Sequence, residues 1–184
     1  MDTITQLVTI AAVLLGSLTT YATNQLVERS KRRELRRVRW DEKKLDAYAE
    51  YIGRVRAVIH ANVLLYEVRE EMRAMPRSEH DLAMDLTDAT AAQAIAFERV
   101  MLLAGDEVVN SAHAVQEATA AIGWHARGVV AGTLDEWRAR NAAAFGAINL
   151  FHQRARADLG VSGSFEGEAH SARGLLLPGT REAE

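Results

Sequence analysis

From Thr3 to Val27 the chain carries no charged residue, and between Ile4 and Leu18 aliphatic side chains dominate, interrupted by Thr and Ser. At about 1.5 Å per residue such a run spans a hydrocarbon core of about 30 Å, and its hydroxyls can bond back to the helix's own carbonyls. The pattern predicts a transmembrane helix. Asp2 precedes it and an Arg cluster follows, the reverse of a cleaved signal peptide, so the segment is expected to stay attached as an anchor.

Beyond this run the period changes. Leu45, Tyr48, Ile52, Val55, Ile59, Asn62 and Tyr66 recur at three- and four-residue steps, the spacing of one helix stripe packing at bundle geometry. With no Pro before Pro76, the first helix is expected to reach Met75. Ser78 and Asp81 form a capping signal for a second helix, with Leu82, Leu86, Ala89, Gln93, Ala96, Val100 and Leu103 as its stripe and Gly105 as a left-handed cap. Asp106 and Glu107 open a third, carrying Val108, Ala112, Val115, Thr119, Ile122, Ala126 and Val129 inward. Thr133 and Glu136 cap a fourth, with Trp137, Asn141, Ala144, Ile148, Phe151 and Ala155 facing the core up to Gly160. Short connections make neighbouring helices antiparallel. The expected fold is all-α: an N-terminal transmembrane helix, then an antiparallel up-down-up-down four-helix bundle with a long first helix. The corresponding segments are an anchor over 1–27, a basic juxtamembrane stretch over 28–41, the bundle over 42–160, and a Gly-containing, aperiodic stretch over 161–184 read as a disordered tail.

Charge orients this arrangement. Between Glu28 and Arg39 stand Arg29, Lys31, Arg32, Arg33, Arg36, Arg37 and Arg39 against two acidic residues, while the chain as a whole carries −3. Nothing basic precedes the apolar run. The positive-inside rule then places the N-terminus outside and the bundle in the cytoplasm of a single-pass inner (plasma) membrane protein, with anionic lipid near the basic run. The acidic remainder and the lack of interleaved aromatics argue against nucleic acid as a partner.

The absence of Cys removes disulfides, thiolate nucleophiles and Cys-ligated metals. A di-metal bundle site needs Glu-x-x-His, yet the residues three before each His are Ala57, Arg77, Asn110, Ile122, Asn149 and Gly167. With no phosphate loop or nucleophile motif either, neither catalysis nor a cofactor is expected. Each bundle stripe does carry one uncharged polar residue near its middle: Asn62, Gln93, Thr119 and Asn141. The first three are expected at nearly one level, with Asn141 about a helical turn away. Such a layer either fixes register through mutual hydrogen bonds or lines a ligand pocket, and register is the preferred reading. In the anchor, Ala12, Gly16 and Thr20 recur every four residues, a small-residue strip along which two copies can approach as a homodimer.

The stretch Arg39–Trp40–Asp41–Glu42–Lys43–Lys44–Leu45–Asp46–Ala47–Tyr48–Ala49–Glu50–Tyr51, and later Phe97–Glu98–Arg99–Val100–Met101–Leu102–Leu103–Ala104–Gly105–Asp106–Glu107–Val108–Val109, resemble the corresponding parts of single-pass bacterial membrane proteins with a helical cytoplasmic domain. The resemblance implies membrane location and brings no activity with it. The expected function is that of a membrane-anchored cytoplasmic interaction or scaffold protein with an unidentified protein partner; the alternative is a membrane-tethered transducer or small-ligand sensor using the polar layer. In spheroplasts, externally added protease is expected to leave the chain beyond Val27 intact. Digestion of the bundle from outside would reverse the assigned orientation.

Overall fold

The computed structural model describes the backbone of residues 3–163, and side chains at 21, 23–25, 27–28, 31 and 38–163. Four α-helices are present among these residues: α1 (Thr3–Arg69), α2 (Glu79–Leu103), α3 (Asp106–Ala126) and α4 (Leu134–Asp158). The chain divides into two compact units, Met1–Glu42 and Lys43–Glu184. In the first, Lys31, Arg39 and Trp40 are exposed and the Gln25 amide donates to the Tyr21 hydroxyl at 3.1 Å. Among the described residues no helix is long and apolar enough to cross a membrane. The expected span therefore finds no support from the fold; the side chains of 3–20, which carry its apolar run and the Ala12, Gly16 and Thr20 strip, lie outside the described residues, as do those of Arg29, Arg32, Arg33, Arg36 and Arg37.

In the second unit the four stripes converge on one core. Tyr51, fully buried on α1, touches all three other helices: its ring lies 5.9 Å from Phe97 of α2 and 5.3 Å from Phe151 of α4, and its hydroxyl donates to the Ala112 carbonyl of α3 at 2.9 Å. A second level joins Tyr66 to Trp137 in a stack at 4.2 Å, with His125 of α3 edge-on to both rings. As α1 runs from Tyr51 to Tyr66, α3 runs from Ala112 to His125 alongside it while α4 runs back from Phe151 to Trp137. Sequential helices are thus antiparallel, as the short connections require.

The helix ends follow from local chemistry. Ser78 and Thr133 accept from the amides of Asp81 and Glu136, whose carboxylates reach back to the cap amides, two complete capping boxes. The Ser78 hydroxyl holds the Asp81 carboxyl below its usual range, and the Thr133 amide does the same for Glu136. At the C-termini of α1, α3 and α4 the same pair of closing bonds recurs: Met72 to Glu67 and Glu71 to Val68, Val129 to Trp124 and Gly128 to His125, Val161 to Arg156 and Gly160 to Ala157. Each needs one left-handed residue, supplied by Gly128 (φ 67°), Gly160 (φ 69°) and, without the freedom of glycine, Glu71 (φ 55°).

Four sequence expectations are corrected. α1 stops at Arg69, not Met75, because Glu71 turns the chain before the proline is reached. Gly105 is not a left-handed C-cap: Ala104 and Gly105 are both extended, and Gly105 serves as the N-cap of α3. The site calls for glycine on space, since a Cβ there would sit 3.1 Å from Asp158 Oδ1. Leu45 is 56% exposed, and Val129 is 72% exposed because α3 ends at Ala126, ahead of it.

Asp158 closes this end of the bundle. Its Oδ2 accepts from Lys44 Nζ at 2.8 Å and from the Tyr48 hydroxyl at 2.6 Å, and its carboxylate also receives the Gly105 amide. Burial by itself raises the carboxyl's pKa, but the Lys44 and Tyr48 bonds outweigh it and hold the group below the usual carboxylate range, while burial and then the Asp158 bond push the Tyr48 hydroxyl up. A depressed folded value means that the stabilisation is complete above the unfolded carboxyl pKa of about 3.9 and is lost as pH falls through the folded value. Asp158→Asn is expected to cost roughly 1–3 kcal/mol in chemical denaturation at pH 7. The gap from the wild type should close as pH falls below the unfolded carboxyl value and through the lower folded one, and a penalty that stays constant into stronger acid would show that the ionised form contributes nothing special.

Candidate ligand-binding site

Asn62, Gln93 and Thr119 come together as their positions in the stripes predict, around a cavity of about 290 Å³ between α1, α2 and α3. Each is buried because it occupies a core position of its stripe, not because its side chain favours the interior. Val58 and Leu86 supply apolar wall, Thr90 and Gln116 add neutral polar groups, and Trp124 and Arg127, both exposed, stand at the α3 side. Arg127 is the one charged side chain in this lining.

The hydrogen bonding within the layer is uneven. Gln93 Nε2 donates to Thr119 Oγ1 at 3.4 Å, and the Thr119 hydroxyl is shared between the carbonyls of Val115 and Gln116 at 3.0 Å. Gln93 also bonds the Tyr51 hydroxyl, which partly offsets the rise that burial imposes on its pKa. This links the layer to the centre of the core. Asn62 is different. It is completely buried, and neither its Oδ1 nor its Nδ2 has a partner among the described residues. Opposite it stands Gly123, where an added Cβ would lie 3.5 Å from Asn62 Oδ1 and 3.9 Å from Nδ2. The absence of a side chain on α3 leaves the carboxamide facing backbone.

Asn141 belongs to another neighbourhood. Its Nδ2 donates to the Trp137 carbonyl of its own helix at 2.9 Å, leaving Oδ1 without a partner. A bond to the preceding turn satisfies a donor but links no second helix, so it sets no register between helices. Sequence reasoning did not single out His125 or Trp137 as polar groups; both are buried, with His125 Nδ1 and Trp137 Nε1 unpartnered, and their aromatic character reads as core filling. It also missed Gly123, whose role appears only once α1 is laid against α3. Among the described residues no group of three or more His, Asp or Glu side chains is placed to hold a metal ion.

A buried amide with two unmade bonds costs about 1–3 kcal/mol per unsatisfied group, whereas an apolar side chain of similar shape carries no such cost. Asn62→Leu is therefore expected to stabilise the ligand-free protein by roughly 1–3 kcal/mol in urea denaturation. Gln93→Leu should instead destabilise it by about 1 kcal/mol, since it removes made bonds. Loss of stability in Asn62→Leu would mean that the carboxamide is satisfied in solution. Comparison of the chain with protein-family models, with curated proteins and with solved structures finds no match.

Proposed function

We propose that this protein is a non-catalytic binding protein, a helical bundle tethered to the cytoplasmic face of a bacterial inner membrane, which senses a small ligand in the cavity between α1, α2 and α3. The observation that carries the reading is Asn62, a fully buried carboxamide with both hydrogen-bonding atoms unpartnered among the described residues, beside a cavity whose other buried polar groups are neutral. A layer that only set register would bond to itself, as Gln93 and Thr119 do. Ligand pockets combine apolar walls with a few convergent polar groups, and this lining has that composition. The tether rests on the sequence: the uncharged run from Thr3 to Val27 and the basic residues clustered on one side of it.

A scaffold is the second reading, favoured by the outer face of α2, where Ile95 is 70% and Leu102 83% exposed. Such side chains are suited to a protein partner. The two readings separate by what accompanies the full chain when it is purified from its native membranes. Native mass spectrometry is expected to show a bound small molecule that an Asn62→Leu/Gln93→Leu double variant lacks. A ligand-free wild type that captures a protein dependent on Ile95 and Leu102 would give the scaffold precedence.

A further inference from the structure

The unmade bonds of Asn62 also define what can complete them. A carboxamide presents one N–H donor and one carbonyl acceptor side by side in a plane, and the group that pairs with both at once presents an acceptor and a donor at the same spacing. Asparagine pairs in this bidentate way with the edge of a nucleobase. The interior end of the ligand must be neutral, because the deep wall holds Asn62, Gln93 and Thr119 and no ionised group, and a buried charge without a counter-charge is prohibitively costly. Arg127 is on the exposed surface and leaves room for polar or anionic substituents only at the outer end. A volume of about 290 Å³ lies at the small end of pockets that take drug-sized molecules, which limits the buried part to about one ring system with small substituents.

Resting on the ligand-binding reading above, we propose that the cavity takes a small neutral ring carrying a cis-amide edge, of the lactam, cyclic urea or pyrimidinone class, whose ring N–H donates to Asn62 Oδ1 and whose carbonyl accepts from Asn62 Nδ2. The aliphatic side chains of Val58 and Leu86 in the lining suit the apolar faces of such a ring. Both Asn62 atoms are closed to water in the ligand-free fold, with Gly123 of α3 facing them and room between for no more than a methyl group. The ring reaches them only when the wall around Asn62 opens, so binding is coupled to a local rearrangement of the cavity wall. A ligand that binds the opened arrangement shifts the population towards it, which is how occupancy of a buried site becomes a signal. The apparent affinity is lowered by the fraction of molecules that are open.

The test uses the full chain in detergent micelles and two probes, 2-pyridone and N-methyl-2-pyridone, followed by titration of the Asn62 side-chain NH2 and Trp124 indole resonances. The two rings are close in size and share the carbonyl, but the methyl group removes the donor. 2-Pyridone is expected to bind at least about tenfold more tightly, the value of one net hydrogen bond, and Asn62→Leu should abolish that preference. Gly123→Ala, which keeps the helix, should weaken 2-pyridone by crowding the approach. Equal affinity for the two probes would overturn the cis-amide assignment while leaving a ligand cavity in place. If neither probe binds, the cis-amide assignment fails, and the ligand-binding reading fails with it when the native mass spectrum is also empty.

Discussion

Tyr51 is the point at which the four helices of the bundle become one structure. Its ring meets α2 and α4, and its hydroxyl reaches the backbone of α3, so a single α1 side chain registers all three partners. A tyrosine can do this because it buries a large apolar surface yet ends in a group that must find a hydrogen-bond partner. The Ala112 carbonyl provides one, although a helical carbonyl is already engaged by its own ladder, because the oxygen has a second lone pair. Gln93 bonds the same hydroxyl, so the polar layer is continuous with the centre of the core.

That continuity gives the interior two kinds of polar group. The Tyr51, Gln93 and Thr119 set is internally bonded and contributes specificity at little cost. Asn62 is embedded in the same wall and finds no partner among the described residues, leaving a local deficit that the surrounding apolar packing must offset. The contrast between neighbours in one layer is more informative than either would be alone. It shows that the fold is able to satisfy polar groups at this depth, and that Asn62 is excluded by position, since Gly123 presents backbone where a partner side chain would stand.

The two ends of the bundle are closed by different means. At one, Asp158 of α4 gathers a lysine and a tyrosine from α1 and the amide of the α3 N-cap. At the other, the Arg69 guanidinium lies across Gly128 and donates to the Ala126 carbonyl at 3.4 Å, placing a cation at the C-terminus of α3 where the helix dipole favours it. A Cβ at Gly128 would fall 1.8 Å from Arg69 Nη1, so the glycine serves both the turn and the close approach of that side chain.

Helical periodicity determined much of this protein without reference to any other part of it. The stripes of α2 and α4, both capping boxes and the convergence of Asn62, Gln93 and Thr119 follow from residue spacing, because position along a helix of known pitch fixes both face and axial level. The expectation of a membrane tether likewise comes from a charge-free run and one-sided basic residues, properties of the sequence alone. What spacing does not convey is how closely two helices approach and what each side chain then meets. Leu45 satisfies its stripe yet lies exposed at the edge of the core, and Gly105 has the composition of a C-cap but serves as a contact point for Asp158. Whether a buried amide is satisfied depends on groups 26 to 61 positions away along the chain, as the partners of Gln93 and Tyr51 are, and hydrogen bonds decay over tenths of an ångström. Only the tertiary structure, by setting Gly123 against Asn62, decided that one member of the polar layer would be left without a partner.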